Sequence, residues 1–209
     1  NYVMMILELE SGSNIMVIGP PLVGKVSLIK KILRDEIGRG LGVIYVTTKE
    51  TGEEILKQFE NADVRVIDCV SKLAISDVTD TEKIKRVASP LDLTGISVGV
   101  NKFLEEYFKQ GKTAIVVFDS LSNLLMYSNL QTVFRFLHVL TTRIRAAKAK
   151  ALYIVEEGMH DEKTVATLKQ IFNGVIEMKE EDNKRFFRLI TSKVRNDWKE
   201  FLVENLVVN

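Results

Sequence analysis

The chain has 209 residues, 46% of them hydrophobic and 27% charged, a composition that excludes intrinsic disorder and collagen-like structure. At about 150 residues per domain, this length predicts one domain, residues 1–209, able to bury roughly 70% of its unfolded surface. Lys and Arg total 29 against 28 Asp and Glu, so a net charge of +1 exerts no global pull toward nucleic acid or anionic lipid.

Apolar segments alternate with amphipathic helical segments along most of the sequence. Residues 14–18 read as a strand, after which Val26, Ile29, Leu33 and Ile37 recur at helical spacing until Gly38 and Gly40. Residues 43–47 form the next strand, and Thr51-x-x-Glu54 is a capping box that opens a helix with Ile55, Leu56 and Phe59 turned inward. A third strand follows at 64–68. Between 70 and 92 the pattern is weaker, with a short helix expected around 81–87. Ile96, Val100, Phe103, Leu104 and Tyr107 mark a helix ended by Gly111, and residues 114–118 are a fully apolar, buried strand.

Ser128-x-x-Gln131 is expected to cap a long helix carrying Val133, Phe136, Leu137, Leu140 and Ile144. A strand at 152–155, a helix at 161–172 and a strand at 175–178 come next. Residues 185–194 and 201–208 then read as two antiparallel strands around a turn at Asn196-Asp197. Strand–helix alternation implies a mainly parallel sheet covered on both faces, with the terminal hairpin extending one edge.

Short apolar runs predict no membrane span. The opening Asn1-Tyr2-Val3-Met4-Met5 has no basic stretch, so no signal peptide is expected, and the absence of Met at position 1 leaves the natural start open. The one cysteine, Cys69, cannot close an internal disulfide, which suits a reducing cytoplasm. Two histidines and one cysteine are too few for the usual structural zinc site.

The segment Gly19-Pro20-Pro21-Leu22-Val23-Gly24-Lys25-Val26-Ser27 holds the frame G-x-x-x-x-G-K between a strand and a helix. Backbone N–H groups of such a loop wrap phosphate oxygens, with Lys25 reaching the β- and γ-phosphates. The position after the lysine should supply a hydroxyl to Mg²⁺, and Val26 has no oxygen; Ser27 lies about 100° further round the helix. Asp119 ends the apolar strand at 114–118 as the aspartate of a Walker B segment does, and would hold Mg²⁺ through water.

Together these segments resemble the RecA superfamily, and more closely its archaeal KaiC-like and RadA-like P-loop ATPases. The resemblance runs from about residue 11 to 206. It extends to Val46-Thr47-Thr48-Lys49-Glu50-Thr51-Gly52-Glu53-Glu54-Ile55, Asp92-Leu93-Thr94-Gly95, Asp119-Ser120-Leu121-Ser122, Asn173-Gly174-Val175-Ile176 and Lys193-Val194-Arg195-Asn196. It implies an α/β fold, a three-layer RecA-like core with a mainly parallel sheet and a C-terminal antiparallel hairpin. It also implies ATP or ADP as ligand, and Lys193 and Arg195 reaching the γ-phosphate of a neighbouring protomer from one face of a strand.

The departures fall on the chemistry. Where the family's first glutamate polarises the attacking water, this chain has Lys49, which leaves Glu50 as the remaining catalytic candidate. Leu22 replaces a loop glycine and Val26 the metal's hydroxyl ligand. The expectation is a degenerate KaiC-like nucleotide-binding protein with weak or no hydrolysis, acting as a sensor or assembly switch and forming a homo-oligomer. The alternative is a non-enzymatic module that binds a protein or peptide. The acidic stretch Glu156-Glu157-Gly158-Met159-His160-Asp161-Glu162 would repel a nucleic-acid backbone, and Arg143, Arg145, Lys148 and Lys150 read as a solvated helix end. His160 is a surface-loop histidine or a nucleotide-linked sensor, and His138 is structural. Lys25, Lys49 or both are expected to neutralise Asp119 in place of a metal.

Overall fold

The structure, a computed structural model, describes residues 6–202. Its elements follow one another as β1 Asn14–Gly19, α1 Lys25–Gly38, β2 Gly42–Thr47, α2 Gly52–Gln58, β3 Val64–Asp68, α3 Ser71–Ala74, β4 Ile84–Arg86 and α4 Leu93–Lys109. They continue as β5 Ala114–Asp119, α5 Leu121–Tyr127, α6 Leu130–Ala146, β6 Lys150–Glu156, α7 Glu162–Lys169, β7 Gly174–Glu181, β8 Lys184–Thr191 and β9 Lys199–Phe201. The strands form one sheet in the order β4-β3-β2-β5-β6-β1-β7-β8-β9. The first seven in that order are mutually parallel, and β8 and β9 add antiparallel strands at one edge. This is the mainly parallel α/β sheet with antiparallel C-terminal strands that the sequence predicts.

Strand alternation sorts the core into two layers. Ile15, Val17, Val43, Tyr45, Ile115, Val117, Leu152 and Ile154 face α1 and α2, meeting Leu28, Ile29, Ile32, Leu33, Ile55 and Phe59. Met16, Ile44, Val46, Val116, Phe118, Tyr153 and Val155 face the other way, against Ile96, Val100, Phe103, Leu124, Val133, Leu137 and Leu168. By the same alternation Asp119 and Glu156, which end β5 and β6, turn toward the layer that holds α1. Register places Thr47 beside Asp119 and Gly19 beside Glu156, so these strand ends share one edge of the sheet.

Four expectations require correction. Residues 84–86 are an edge strand rather than part of a helix at 81–87. Ile84 and Arg86 point inward with Lys85 between them, and β4 pairs with β3. Ser128 does not cap the long helix; it closes the short α5, and Asn129 caps α6 by accepting from the Thr132 N–H. Lys150 does not belong to a solvated helix end. It is the first residue of β6, buried, with its ammonium 3.0 Å from both carboxylate oxygens of the fully buried Glu36 on α1. Finally, the long antiparallel ladder is β7 with β8, joined at Asp182-Asn183, while β9 covers Lys199–Phe201. Residues 203–208 of the second expected strand lie outside the described residues. His138 is exposed on α6, where its backbone carbonyl accepts from the Thr142 hydroxyl.

The Asn173-Gly174 step serves the sheet. Asn173 and Asn14 exchange bonds, the Asn14 N–H donating to Asn173 Oδ1 and the Asn173 N–H to the Asn14 carbonyl. The Asn14 side chain in turn accepts from the Tyr153 hydroxyl and donates to the Thr141 carbonyl, which ties β1 to β6 and α6.

Candidate functional site

The loop between β1 and α1 turns on two left-handed residues, Leu22 and Gly24. Gly24, the N-cap of α1, has a φ of 96°, a left-handed conformation open to glycine without penalty. Leu22 also turns left-handed, with a φ of 65°, at a cost of about 1–2 kcal/mol for a residue with a Cβ. The leucine therefore adopts the backbone angle a glycine would have supplied, and its side chain points outward, 91% exposed. Because Gly24 has no side chain to accept from the first turn, the leading amides of α1 remain free to meet another acceptor.

Lys25, buried at the base of this loop, spends its donors locally. Its ammonium donates to the carbonyls of Gly19 at 2.9 Å and Pro20 at 2.8 Å, and pairs with Glu156 Oε2 at 2.9 Å. Three acceptors use all three N–H groups. Lys25 therefore does not neutralise Asp119, and Glu156, which the sequence presented only as part of an acidic loop, is its ion-pair partner.

Asp119 is held from three sides. The Tyr45 hydroxyl donates to its Oδ2 at 2.8 Å, and burial together with this carboxylate pushes the Tyr45 phenol well above its ordinary range. Its Oδ1 is buried and receives no hydrogen bond; the nearest cation is Lys49 Nζ at 3.6 Å. Thr48 fixes the backbone: its N–H and hydroxyl both donate to the Asp119 carbonyl, while its hydroxyl oxygen accepts from the Ser120 N–H and from Asn123. Lys49, at 42% exposure, has one side on Asp119 and the other toward solvent. Glu50 is drawn elsewhere: its carboxylate accepts from Gln58 on α2 at 3.2 and 3.3 Å.

His160 is more than a surface residue. Its Nε2 lies 2.8 Å from the hydroxyl of the fully buried Ser122, which also accepts from the Glu156 N–H at 2.9 Å. Burial lowers the His160 pKa, with Asp161 opposing. Lys193 and Arg195 do not alternate along a strand, since β8 ends at Thr191 and both lie in the loop before β9. Because Thr191 pairs with Gly174, itself beside Ile15, that loop sits at the sheet edge opposite the Gly19 end of β1. There a cleft of about 1160 Å³ opens between residues 6–13 and the β8–β9 loop, lined by Ile15, Phe172, Leu189, Glu10, Arg145 and Lys193.

The sequence signalled Lys25, Lys49 and Asp119 through motif spacing. Thr48 and Ser122 lay inside the segments that carried the resemblance and Glu156 inside the acidic stretch, none of them with a role assigned, and Tyr45 carried no signal; strand alternation, which turns Tyr45, Asp119 and Glu156 to one layer, could have grouped some of them.

Known proteins supply the context. The profile of a family of unknown function, DUF7504, matches residues 12–178. No curated protein matches the chain. Among solved structures, the KaiC-like protein PH0186 from the hyperthermophilic archaeon Pyrococcus horikoshii OT3 superposes with a TM-score of 0.67 at 14% identity, covering 91% of this chain and 84% of that one. The flagellar accessory protein FlaH from Methanocaldococcus jannaschii superposes with a TM-score of 0.61 at 17% identity, over 88% of this chain and 80% of that one. At such identities the likeness defines the fold, a RecA-like α/β core.

Proposed function

The chain belongs to the family of unknown function DUF7504, and from its RecA-like core and its β1–α1 loop we propose that it binds a nucleotide, ATP or ADP, with hydrolysis near background. The observation that carries the reading is the β1–α1 loop. It keeps left-handed residues at Leu22 and Gly24 and an uncapped helix start, which together make an anion cradle. The groups that would drive hydrolysis are missing or engaged elsewhere. Val26 offers no oxygen, Lys49 cannot accept a proton from water, and Glu50 is tied to Gln58. General-base catalysis alone contributes typically 10²–10⁴-fold. In this reading the protein is a nucleotide-responsive switch, a role for which binding without turnover suffices. Calorimetry should detect ATP and ADP, and phosphate release by the pure protein should stay at background; steady turnover of about one per second, a typical enzyme rate, would overturn the reading.

One observation favours a second reading, a non-enzymatic module for a protein or peptide. The cleft at the opposite edge of the sheet combines apolar Ile15, Phe172 and Leu189 with charged Glu10, Arg145 and Lys193, a lining suited to an extended peptide. Retained peptide binding by a chain that takes no nucleotide would favour this second reading.

A further inference from the structure

We infer that Lys49 is the resident cation of this centre, and that the site takes its phosphate-bearing ligand without a divalent metal. The inference rests on the nucleotide reading for the identity of the ligand, and on geometry for the role of Lys49.

Mg²⁺ does not fit the residues present. Beside a phosphate ligand, Mg²⁺ fills its octahedron with phosphate oxygens, waters and one or two protein oxygens, and here the helix position that would supply a hydroxyl is Val26, whose side chain has none. Among the described residues the one buried side-chain oxygen without a hydrogen-bond donor is Asp119 Oδ1, on a residue only 4% exposed. A buried carboxylate oxygen in that state calls for a cation, because an uncompensated charge there is costly.

That cation is already covalently attached to the chain. Lys49 Nζ stands 3.6 Å from Oδ1, beyond hydrogen-bond range but within direct charge–charge contact. Tyr45 occupies the other carboxylate oxygen, so both are accounted for. A dication entering here would meet the ammonium head-on and would have to expel it from Asp119. The ammonium is positioned to do the metal's electrostatic work. One side rests on Asp119 and the other is exposed to solvent, at the same edge of the sheet as the β1–α1 loop. Lys25 cannot take this part, because its three donors are held by Gly19, Pro20 and Glu156.

Two measurements on the full chain test this. The first is calorimetry with ATP and ADP, in excess Mg²⁺ and in EDTA. Wild-type dissociation constants should agree within about twofold in the two conditions, and Lys49→Ala should weaken binding in EDTA by about tenfold. Wild-type binding that is about tenfold or more tighter with Mg²⁺ would overturn the inference and leave the nucleotide reading standing. Absence of binding in both conditions would sink the nucleotide reading instead. The second measurement needs no nucleotide: Lys49→Met is introduced into the wild-type and Asp119→Asn backgrounds and thermal midpoints are compared. The substitution should lower the midpoint in the wild type and leave it unmoved when Asp119 is neutral. An equal effect in both backgrounds would show that Lys49 does not serve Asp119, whatever the protein binds.

Discussion

Breaking one half of the Lys150–Glu36 pair should cost about 3–5 kcal/mol, because the surviving charge stays buried between α1 and β6. Urea unfolding of Lys150→Met should show that loss, and the double variant Glu36→Leu/Lys150→Met should recover most of it. His160 makes a pH prediction of definite sign. Burial holds its folded pKa below the ordinary 6.5, so between the two values the unfolded chain binds more protons. Its contribution is complete above about pH 6.5 and is lost as pH falls through the folded value. Wild-type stability should decline between about pH 7 and pH 5, and His160→Gln should flatten that slope. The carboxylates with lowered pKa values, Glu53, Asp68, Asp80 and Asp161, titrate below this window and do not mask it. For Asp68, burial alone would raise the value. The Ser71 hydroxyl and the N–H groups of Ser71, Gly52 and Val70 reverse that, and Arg86 pairs with the same carboxylate.

At the scale of elements, the β7–β8 hairpin turns on two left-handed residues, Asp182 at φ 53° and Asn183 at φ 62°, between the paired Glu181 and Lys184. A two-residue loop with both central φ positive suits Asn and Gly and rejects β-branched side chains. Asn183→Gly should therefore be neutral or stabilise by up to about 1 kcal/mol, whereas Asn183→Val should destabilise by about 1–2 kcal/mol, read from thermal midpoints. Elements with a long period were legible in the sequence, as was one of the two capping signals, Ser128 having been displaced by Asn129 as the cap of α6. The Thr51 capping box forms as expected, with Thr51 accepting from the Glu54 N–H and the Glu54 carboxylate from the Thr51 N–H. The edge strand Ile84–Arg86 was not, because three residues are too few to separate period 2 from period 3.6. What makes it a strand is the long-range partnership of Arg86 with Asp68 and Glu53, which carries no local signal.

For the whole molecule, the loop bearing Lys193 and Arg195 lies at the sheet edge opposite the β1–α1 loop, so these cations cannot reach a ligand held by that loop in their own chain. If they meet a phosphate, it is one held by another copy. In the proposed reading, light scattering should show association that nucleotide strengthens and that Lys193→Ala/Arg195→Ala removes; a constant monomer mass would refute this part. The sequence by itself determined the class of fold and nominated the loop on which the candidate site is proposed. Apolar strands alternating with amphipathic helices admit few arrangements beyond a covered parallel sheet, and a glycine-framed loop between strand and helix has a mechanism written into its spacing. Only the tertiary structure decided which charge neutralises which. Lys25 and Lys49 were equal candidates for Asp119 on paper. Lys25 goes to Glu156 because β6 lies beside β1, and Lys49 goes to Asp119 because β5 lies beside β2. Ion pairing depends on neighbours across the sheet, and strand order is a property of the assembled chain rather than of any segment within it.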